Sequence, residues 1–169
     1  MRRSGPPLFA TLVVFALLTA AAAWLTLWNR TQFDGPATVI DGDSIRMFGE
    51  ELRLKGIDAP ELDQICQREG RPWRCGQAAR AALEREAQRG NLRCQASERD
   101  QYGRWLARCT IGGADLNAGQ VRNGWAVAFG AYEREETEAR DARRGVWTST
   151  FERPQSWRRA HPRNPTETK

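Results

Sequence analysis

Short stretches of alternating apolar and polar residues run through much of the chain and predict strands with one buried face. In residues 51–55, Leu52 and Leu54 fall on one face, whereas Arg53 falls on the other. Four further strands are predicted at 37–40, 44–48, 91–96 and 105–111. Because glycine-containing turns separate neighbouring strands, the pair at 44–48 and 51–55 is predicted to form a hairpin.

Helical periodicity marks three other segments. Residues 77–89 are rich in alanine, with apolar side chains one turn apart. A short helix is predicted after Asp115, whose carboxylate can cap it. A strongly charged helix is predicted over 133–144. Strands and helices in this order predict an α+β fold, a small five-stranded OB-like barrel with about three helices.

The N-terminal stretch has a different pattern. Residues 8–28 carry no charge and follow two arginines. As a helix, this run of about 21 residues would span about 31 Å, the thickness of a bilayer's hydrocarbon core. Small residues at 20–23 suit cleavage of a signal peptide, whereas Trp24 and Trp28 extend the apolar run and suit an uncleaved anchor. Residues 1–28 are therefore predicted to be either a signal anchor, as one transmembrane helix, or a signal peptide.

The positive end of this segment predicts that the remainder of the chain lies outside the cytoplasm. That remainder is predicted to consist of a polar linker at 29–36, one domain at 37–147, and a basic tail with Pro and Trp at 148–169. Its length suits one compact domain rather than two, and we expect a monomer.

The four cysteines predict disulfides, because an exported chain with an even number of cysteines usually pairs them. Four cysteines allow three pairings. Neighbourhood in sequence suggests Cys66 with Cys75 across a loop, and Cys94 with Cys109 across a hairpin. A zinc site is disfavoured, because the chain has no C-x-x-C pair and its one histidine, His161, lies in the tail.

Charge adds one more indication. The formal net charge is +5, which suits a polyanionic partner without identifying one. Three patches place charged residues where the strand pattern does not require them: 41–44, 53–61 and 102–104. Taken alone, each patch is an ordinary turn or a solvated loop.

Together the three patches resemble the signature segments of the staphylococcal nuclease family, in the same order. The likeness extends from about Ala37 to Trp147 and includes Val121–Gly124 and Arg144–Trp147. The tail around Phe151–Arg159 is also similar to bacterial members of the family. The resemblance implies an OB-type barrel with three helices, and a calcium-dependent nuclease that cleaves DNA and RNA.

The resemblance also implies a role for individual residues. Three charged side chains would be catalytic: Arg53, Glu61 and Arg104. Three groups would bind Ca²⁺ through oxygen: the carboxylates of Asp43 and Asp58, and the main-chain carbonyl of Ala59. Two rings would contact the substrate: Tyr102 and Tyr132. Nucleotide preference stays open, because Gln101 and Gly130 stand where some members carry a lysine and an aromatic residue.

The chemistry of these residue types is consistent with those roles. Hydrolysis of a phosphodiester adds negative charge at phosphorus, which a hard cation and two guanidiniums can neutralise. An arginine fork matches two phosphate oxygens at once, and calcium prefers carboxylate and carbonyl oxygens. A carboxylate can orient the attacking water or accept its proton.

We therefore expect an extracytoplasmic phosphodiesterase with single-stranded DNA or RNA as substrate. It would be held at the membrane by the N-terminal helix, or secreted after cleavage. One alternative is a non-catalytic OB-type module that binds nucleic acid or another polyanion at the membrane. A second is a structural envelope protein, and a third is an enzyme acting on another phosphodiester. The presence of Arg53, Glu61 and Arg104 together favours the nuclease over the binding module.

Overall fold

A computed structural model describes residues 11–20 and 31–162 of the 169-residue chain. The chain divides into two units, Met1–Thr31 and Gln32–Lys169. In the first unit, residues 11–20 form helix α1. No helix within the described ranges is both long and apolar enough to span a bilayer. The rest of the predicted apolar run, residues 8–10 and 21–28, lies outside the described residues.

The second unit is built on a curled sheet. The described residues of the chain form eleven strands: β1 Thr31–Gly35, β2 Thr38–Val39, β3 Ser44–Met47, β4 Glu50–Leu54, β5 Ile57–Asp58, β6 Cys66–Arg68, β7 Arg71–Trp73, β8 Leu92–Arg99, β9 Trp105–Ile111, β10 Ala114–Asp115 and β11 Val127–Ala128. The main sheet has the order β1-β8-β9-β4-β3-β2, with β10 paired to β9. Strands β5 with β11 and β6 with β7 form two small ladders. The curled sheet is consistent with an OB-like fold.

Helices follow the strands as the sequence pattern predicted. Beyond α1, the described residues form four α-helices and one 3₁₀ helix: α2 Cys75–Ala87, α3 Leu116–Arg122, α4 Glu133–Asp141, the 3₁₀ helix Gly145–Thr148, and α5 Pro154–Ala160. The predicted cap of α3 is confirmed, because the Asp115 carboxylate accepts a hydrogen bond of 2.9 Å from the amide of Ala118. The α+β class is likewise confirmed.

Two parts of the sequence-based division differ from the structure. The residues predicted as a linker, 29–36, include strand β1, which pairs with β8 at the edge of the main sheet. Its inward residues Phe33 and Gly35 are buried, while polar side chains face outward. With β1 and the short β10, the main sheet has seven strands rather than five. The tail at 148–169 contains helix α5.

The core lies under the concave side of the sheet. Leu52 and Leu54 of β4 are fully buried, and Arg53 between them faces the other way, as predicted. Leu83 of α2 packs into the same cluster. Both disulfide pairings are confirmed: Cys94–Cys109 joins paired residues of β8 and β9, and Cys66–Cys75 lies in a second, smaller cluster.

A buried asparagine ties the end of β4 to β9. The amide of Asn117 donates to the carbonyls of Lys55 (2.9 Å) and Ala107 (3.1 Å). Its oxygen accepts from the amide of Cys109 at 3.1 Å. Because each polar group of the buried side chain is paired, Asn117 fixes the point where the chain leaves β4 for the loop that follows.

We expect Gly124→Ala to destabilise the protein strongly. Gly124 has φ +74°, and an added Cβ would lie 2.1 Å from the carbonyl oxygen of Arg144. The backbone strain alone costs about 1–3 kcal/mol, and the clash adds to it. Gly119→Ala is the control, because Gly119 lies within α3 with open space around it; it should stabilise by about 0.5–1 kcal/mol. Urea unfolding measures both, and equal stabilities of the two variants would contradict the prediction.

Candidate active site

The turn between β2 and β3 is held in place by backbone contacts. The Asp41 carboxylate accepts a hydrogen bond of 3.0 Å from the amide of Asp43, which closes an Asx-turn. Gly42 fits against the next loop so closely that an added Cβ would lie 2.6 Å from the Cβ of Ala59. Its carbonyl accepts a hydrogen bond from Gln120 of α3 at 2.9 Å. The turn therefore directs Asp43 inward.

Asp43 is 2% exposed, and three donors surround its carboxylate. These are the hydroxyl of Ser44 (3.1 Å), the guanidinium of Arg53 (2.8 Å) and the amide of Ala59 (2.9 Å). Arg53 reaches it because Ser44 and Arg53 are paired residues of β3 and β4. For Ala59, the structure thus shows the amide bound to Asp43, while a role for its carbonyl stays a prediction.

Arg53 bridges two buried acids. Its Nη1 contacts Asp43 at 2.8 Å, and its Nη2 contacts Asp58, which is 1% exposed, at 2.7 Å. Burial opposes the positive charge, but the carboxylates of Asp43 and Asp58 outweigh it and raise the pKa of Arg53. Short, charge-assisted hydrogen bonds of this kind fix both acids and the arginine in one arrangement.

A further arginine, which the sequence analysis did not single out, completes the cluster. Arg158 of α5 binds both oxygens of Asp58, at 2.9 and 3.0 Å, and an oxygen of Glu61 at 2.8 Å. The sequence did place this residue in a tail similar to that of bacterial family members. A contact across about a hundred residues cannot be read from local patterns, so its position was missed.

Buried polar contacts hold the Glu61 loop against the tail. The side chain of Gln64 is fully buried; its oxygen accepts from the amide of Glu61 (3.2 Å), and its nitrogen donates to the carbonyl of Glu152 (2.7 Å). Next to it, Gln67 and Thr150 exchange two backbone hydrogen bonds of 2.9 and 2.8 Å. The loop that carries Glu61 and the segment before α5 are therefore fastened together.

Arg104 comes directly before β9, the strand that pairs with the strand carrying Arg53. In the parallel pairing of β4 with β9, Arg53 is opposite Leu106, and Arg104 precedes Leu106 by two positions. The guanidinium of Arg104 binds the carboxylate of Asp100 at 2.7 and 2.9 Å. Partial burial tends to raise the pKa of Asp100, but hydrogen bonds from Arg104 outweigh it and lower the pKa. The structure therefore shows the charge of Arg104 engaged by Asp100, and its approach to the other candidate catalytic residues stays a prediction.

The two tyrosines each contact a charged side chain. Tyr102 is 75% exposed, and its ring lies 5.4 Å from the guanidinium carbon of Arg104. The hydroxyl of Tyr132 donates to Asp115 at 3.1 Å, and its ring lies beside Gly56. Partial burial and the negative charge of Asp115 raise the pKa of Tyr132 to about 12. Substrate contact by either ring stays a prediction.

The donor types of the cluster fit a hard cation. When all three are ionised, Asp43, Asp58 and Glu61 carry three negative charges, against two positive charges on Arg53 and Arg158. Burial raises the pKa of Asp43 to about 7 even though Arg53 opposes the rise, so added positive charge is favoured there. Within the described ranges, no group of three or more His, Cys, Asp or Glu side chains is already arranged around a metal position. All the candidate donors are oxygen atoms, which calcium prefers.

Fold and site together define a small OB-like domain with acids clustered around Arg53 and Arg158. Residues 51–149 match the family model described as staphylococcal nuclease homologue. This match covers more than half of the chain, and the chain belongs to the staphylococcal nuclease family.

Curated relatives agree with the family. The chain is 37% identical over 121 residues to the succinoglycan biosynthesis protein ExoI of Rhizobium meliloti, covering 67% of this chain and 63% of that protein. It is 31% identical over 115 residues to the probable staphylococcal-like nuclease CAN2 of rice, Oryza sativa subsp. japonica, covering 64% and 29%. It is 33% identical over 119 residues to the probable endonuclease LCL3 of Schizophyllum commune, covering 57% and 39%. The chain spans less than two thirds of the length of each of these relatives.

We expect the stability of the chain in chelator to fall as the pH rises from about 4 to about 7. The ordinary pKa of an aspartate is 3.8, and burial raises that of Asp43 to about 7. In this window the folded chain holds a proton that the unfolded chain has lost, which contributes a slope of up to about 1.4 kcal/mol per pH unit. Asp43→Asn should flatten the profile in urea unfolding, whereas Asp141→Asn, at an exposed site, should not. An unchanged slope in Asp43→Asn would contradict the assignment.

Proposed function

We propose that the protein is a calcium-dependent phosphodiesterase that hydrolyses DNA or RNA outside the cytoplasm. The observation that carries the proposal is the guanidinium of Arg53, which joins Asp43 and Asp58 at 2.8 and 2.7 Å, while Arg158 joins Asp58 to Glu61. A guanidinium held by two candidate metal ligands is positioned for chemistry on a phosphate that reaches the same site. Family membership and relatives named as nucleases support the same reaction class.

Calcium would be held by the carboxylates of Asp43 and Asp58 and the carbonyl of Ala59, and when bound it supplies positive charge to the scissile phosphate. The chain's own residues supply the remaining steps. Arg53 would bind phosphate oxygens through its planar fork as negative charge develops at phosphorus. Glu61 would orient the attacking water or accept its proton. Arg104 would leave Asp100 to bind the phosphate from the neighbouring strand.

Substrate binding would depend on exposed groups beside the cluster. The ring of Tyr102 is exposed and adjacent to the guanidinium of Arg104, which suits stacking of an unpaired base next to a bound phosphate. Tyr132 would line the other margin. Such contacts favour single-stranded DNA or RNA, with little dependence on the base.

The disulfides and the residue pattern of the N-terminal segment support the proposed compartment. Both cysteine pairs are bonded, which suits an oxidising compartment. The uncharged run at 8–28, behind two arginines, would hold the chain at a membrane or direct its export. We propose that the domain acts there as a monomer.

We expect cleavage of single-stranded DNA and RNA by the purified 169-residue chain to require both calcium and Glu61. Chelator should abolish activity, and Glu61→Gln should lower kcat by a factor on the order of 10²–10⁴, because the variant cannot accept a proton. Asp63→Asn is the matched control: it removes one negative charge from an exposed side chain in the same loop and should retain activity. A fluorescent oligonucleotide assay measures all three.

Two results would contradict this proposal. Activity that survives both chelator and Glu61→Gln would place the chemistry elsewhere. Binding of the oligonucleotide without cleavage, in calcium and with the wild-type chain, would favour the non-catalytic binding module.

We expect Arg53→Gln and Arg104→Gln to reduce kcat by similar factors, about 10²–10³ each, but to differ in stability. Removing Arg53 leaves two buried carboxylates short of a partner, which costs about 3–5 kcal/mol, toward the lower end because Asp43 can take up a proton. Arg104 pairs with a single acid, Asp100, which is less deeply buried than Asp43 and Asp58, so its loss should cost less, about 1–3 kcal/mol. Thermal unfolding beside the cleavage assay separates the two effects. Equal stability losses would contradict the burial argument.

A further inference from the structure

The guanidinium of Arg158 holds the oxygens that the proposed reaction needs. It forms a bidentate ion pair with Asp58, at 2.9 and 3.0 Å, and a third hydrogen bond to Glu61 at 2.8 Å. Asp58 is the candidate calcium ligand and Glu61 the candidate catalytic carboxylate. One side chain of helix α5 therefore pairs with both the candidate metal ligand and the candidate catalytic carboxylate.

We propose that Arg158 is an internal counter-ion that calcium displaces. In the calcium-free chain it neutralises Asp58 and Glu61, and it releases both carboxylates when the cation binds. The inference rests on the proposed function in one respect, namely that Asp58 is a calcium ligand. It adds a positioning residue that the family match does not include, because Arg158 lies beyond residues 51–149.

Arg158, rather than Arg53, is the arginine suited to leave. Arg53 is fixed within β4, is held by two buried acids, and has a side chain that is only 18% exposed. The side chain of Arg158 is 37% exposed and projects from the last turn of the seven-residue helix α5. It can therefore rotate into solvent without disturbing a paired strand.

The first turn of α5 is anchored independently of Arg158. Pro154 is buried, and the guanidinium of the preceding Arg153 binds Glu136 of α4 at 3.0 and 3.3 Å. Glu136 in turn accepts a hydrogen bond of 2.7 Å from the amide of Ala128. Loss of the contacts of Arg158 would thus free the end of the helix while its beginning stays docked.

The balance of charge favours the exchange. With both arginines in place and all three acids ionised, the carboxylates keep one uncompensated negative charge in a largely buried site. If one divalent ion replaces the single charge of Arg158, the ion and Arg53 together match the three carboxylates. Because both cations compete for the same oxygens, the free energy of the Arg158 pairs must oppose calcium binding.

The test is a calcium titration of the 169-residue chain by calorimetry, without substrate. Arg158→Gln should bind calcium at least about fivefold more tightly than wild type, the lower end of the usual range for coupled sites. Arg159→Gln is the matched control, because it removes the same charge from the adjacent, exposed position of α5 and should change the Kd less than about twofold. Arg158→Lys, which keeps the charge but not the fork, should lie between them. Asp58→Asn should abolish the binding.

A second measurement separates displacement from a merely structural role. In chelator, Arg158→Gln should unfold at a lower temperature than wild type, because Asp58 has lost a partner. In saturating calcium the gap should close, since the wild-type arginine has then also left.

Three results would overturn the inference. One is an unchanged or weaker calcium affinity in Arg158→Gln, which would mean that Arg158 arranges the site for the ion. Another is a gap in unfolding temperature that persists in saturating calcium. The third is a lack of calcium binding by both wild type and Arg158→Gln. Because none of these measurements uses a substrate, they are separable from failure of the nuclease activity, which the oligonucleotide assay alone decides.

Discussion

The structure depends on the way in which Arg53 joins two buried carboxylates. An unpaired charge in a protein interior is costly, and removal of one partner from a buried pair is strongly destabilising. Asp43 and Asp58, each almost fully buried, can therefore stay near each other as ionised carboxylates only while a cation lies between them. The register that pairs Ser44 with Arg53 brings this cation to Asp43, and the loop after β4 brings Asp58 to it. The pairing of β3 with β4 therefore also fixes the arrangement of the charged side chains in the site.

Buried amide side chains extend that constraint to segments far apart in the chain. Gln120 holds the turn before Asp43, Asn117 holds the end of β4, and Gln64 fastens the Glu61 loop to the segment before α5. Each makes hydrogen bonds to backbone groups from inside the core, where leaving a polar group unpaired is expensive. A loop fixed by such directional bonds holds its carboxylate in one position. These buried side-chain hydrogen bonds therefore fix the backbone segments that carry the candidate site residues.

Local patterns predicted the elements whose determinants are local. The alternation of Leu52, Arg53 and Leu54, the cap at Asp115 and the neighbouring cysteines each depend on residues close in sequence, and the structure agrees with them. Strand β1 was missed because one aromatic residue among polar neighbours gives almost no alternation, and pairing with β8 decides its conformation. Arg158 was missed for a related reason. Its partners lie about a hundred residues away, and a lone arginine in a basic tail carries no local signal of an ion pair.

The contrast between the two ends of α5 bears on how such a site could respond to an ion. The beginning of the helix is docked by a buried proline and by contacts to α4, which no small ion competes for. Its last turn touches the cluster through the charges of Arg158, and these are the contacts that a cation of higher charge can replace. Apolar packing at the same place would not respond to calcium, because its stability does not involve the carboxylates. Docking by charge therefore makes the position of the helix end depend on the same oxygens that define the site.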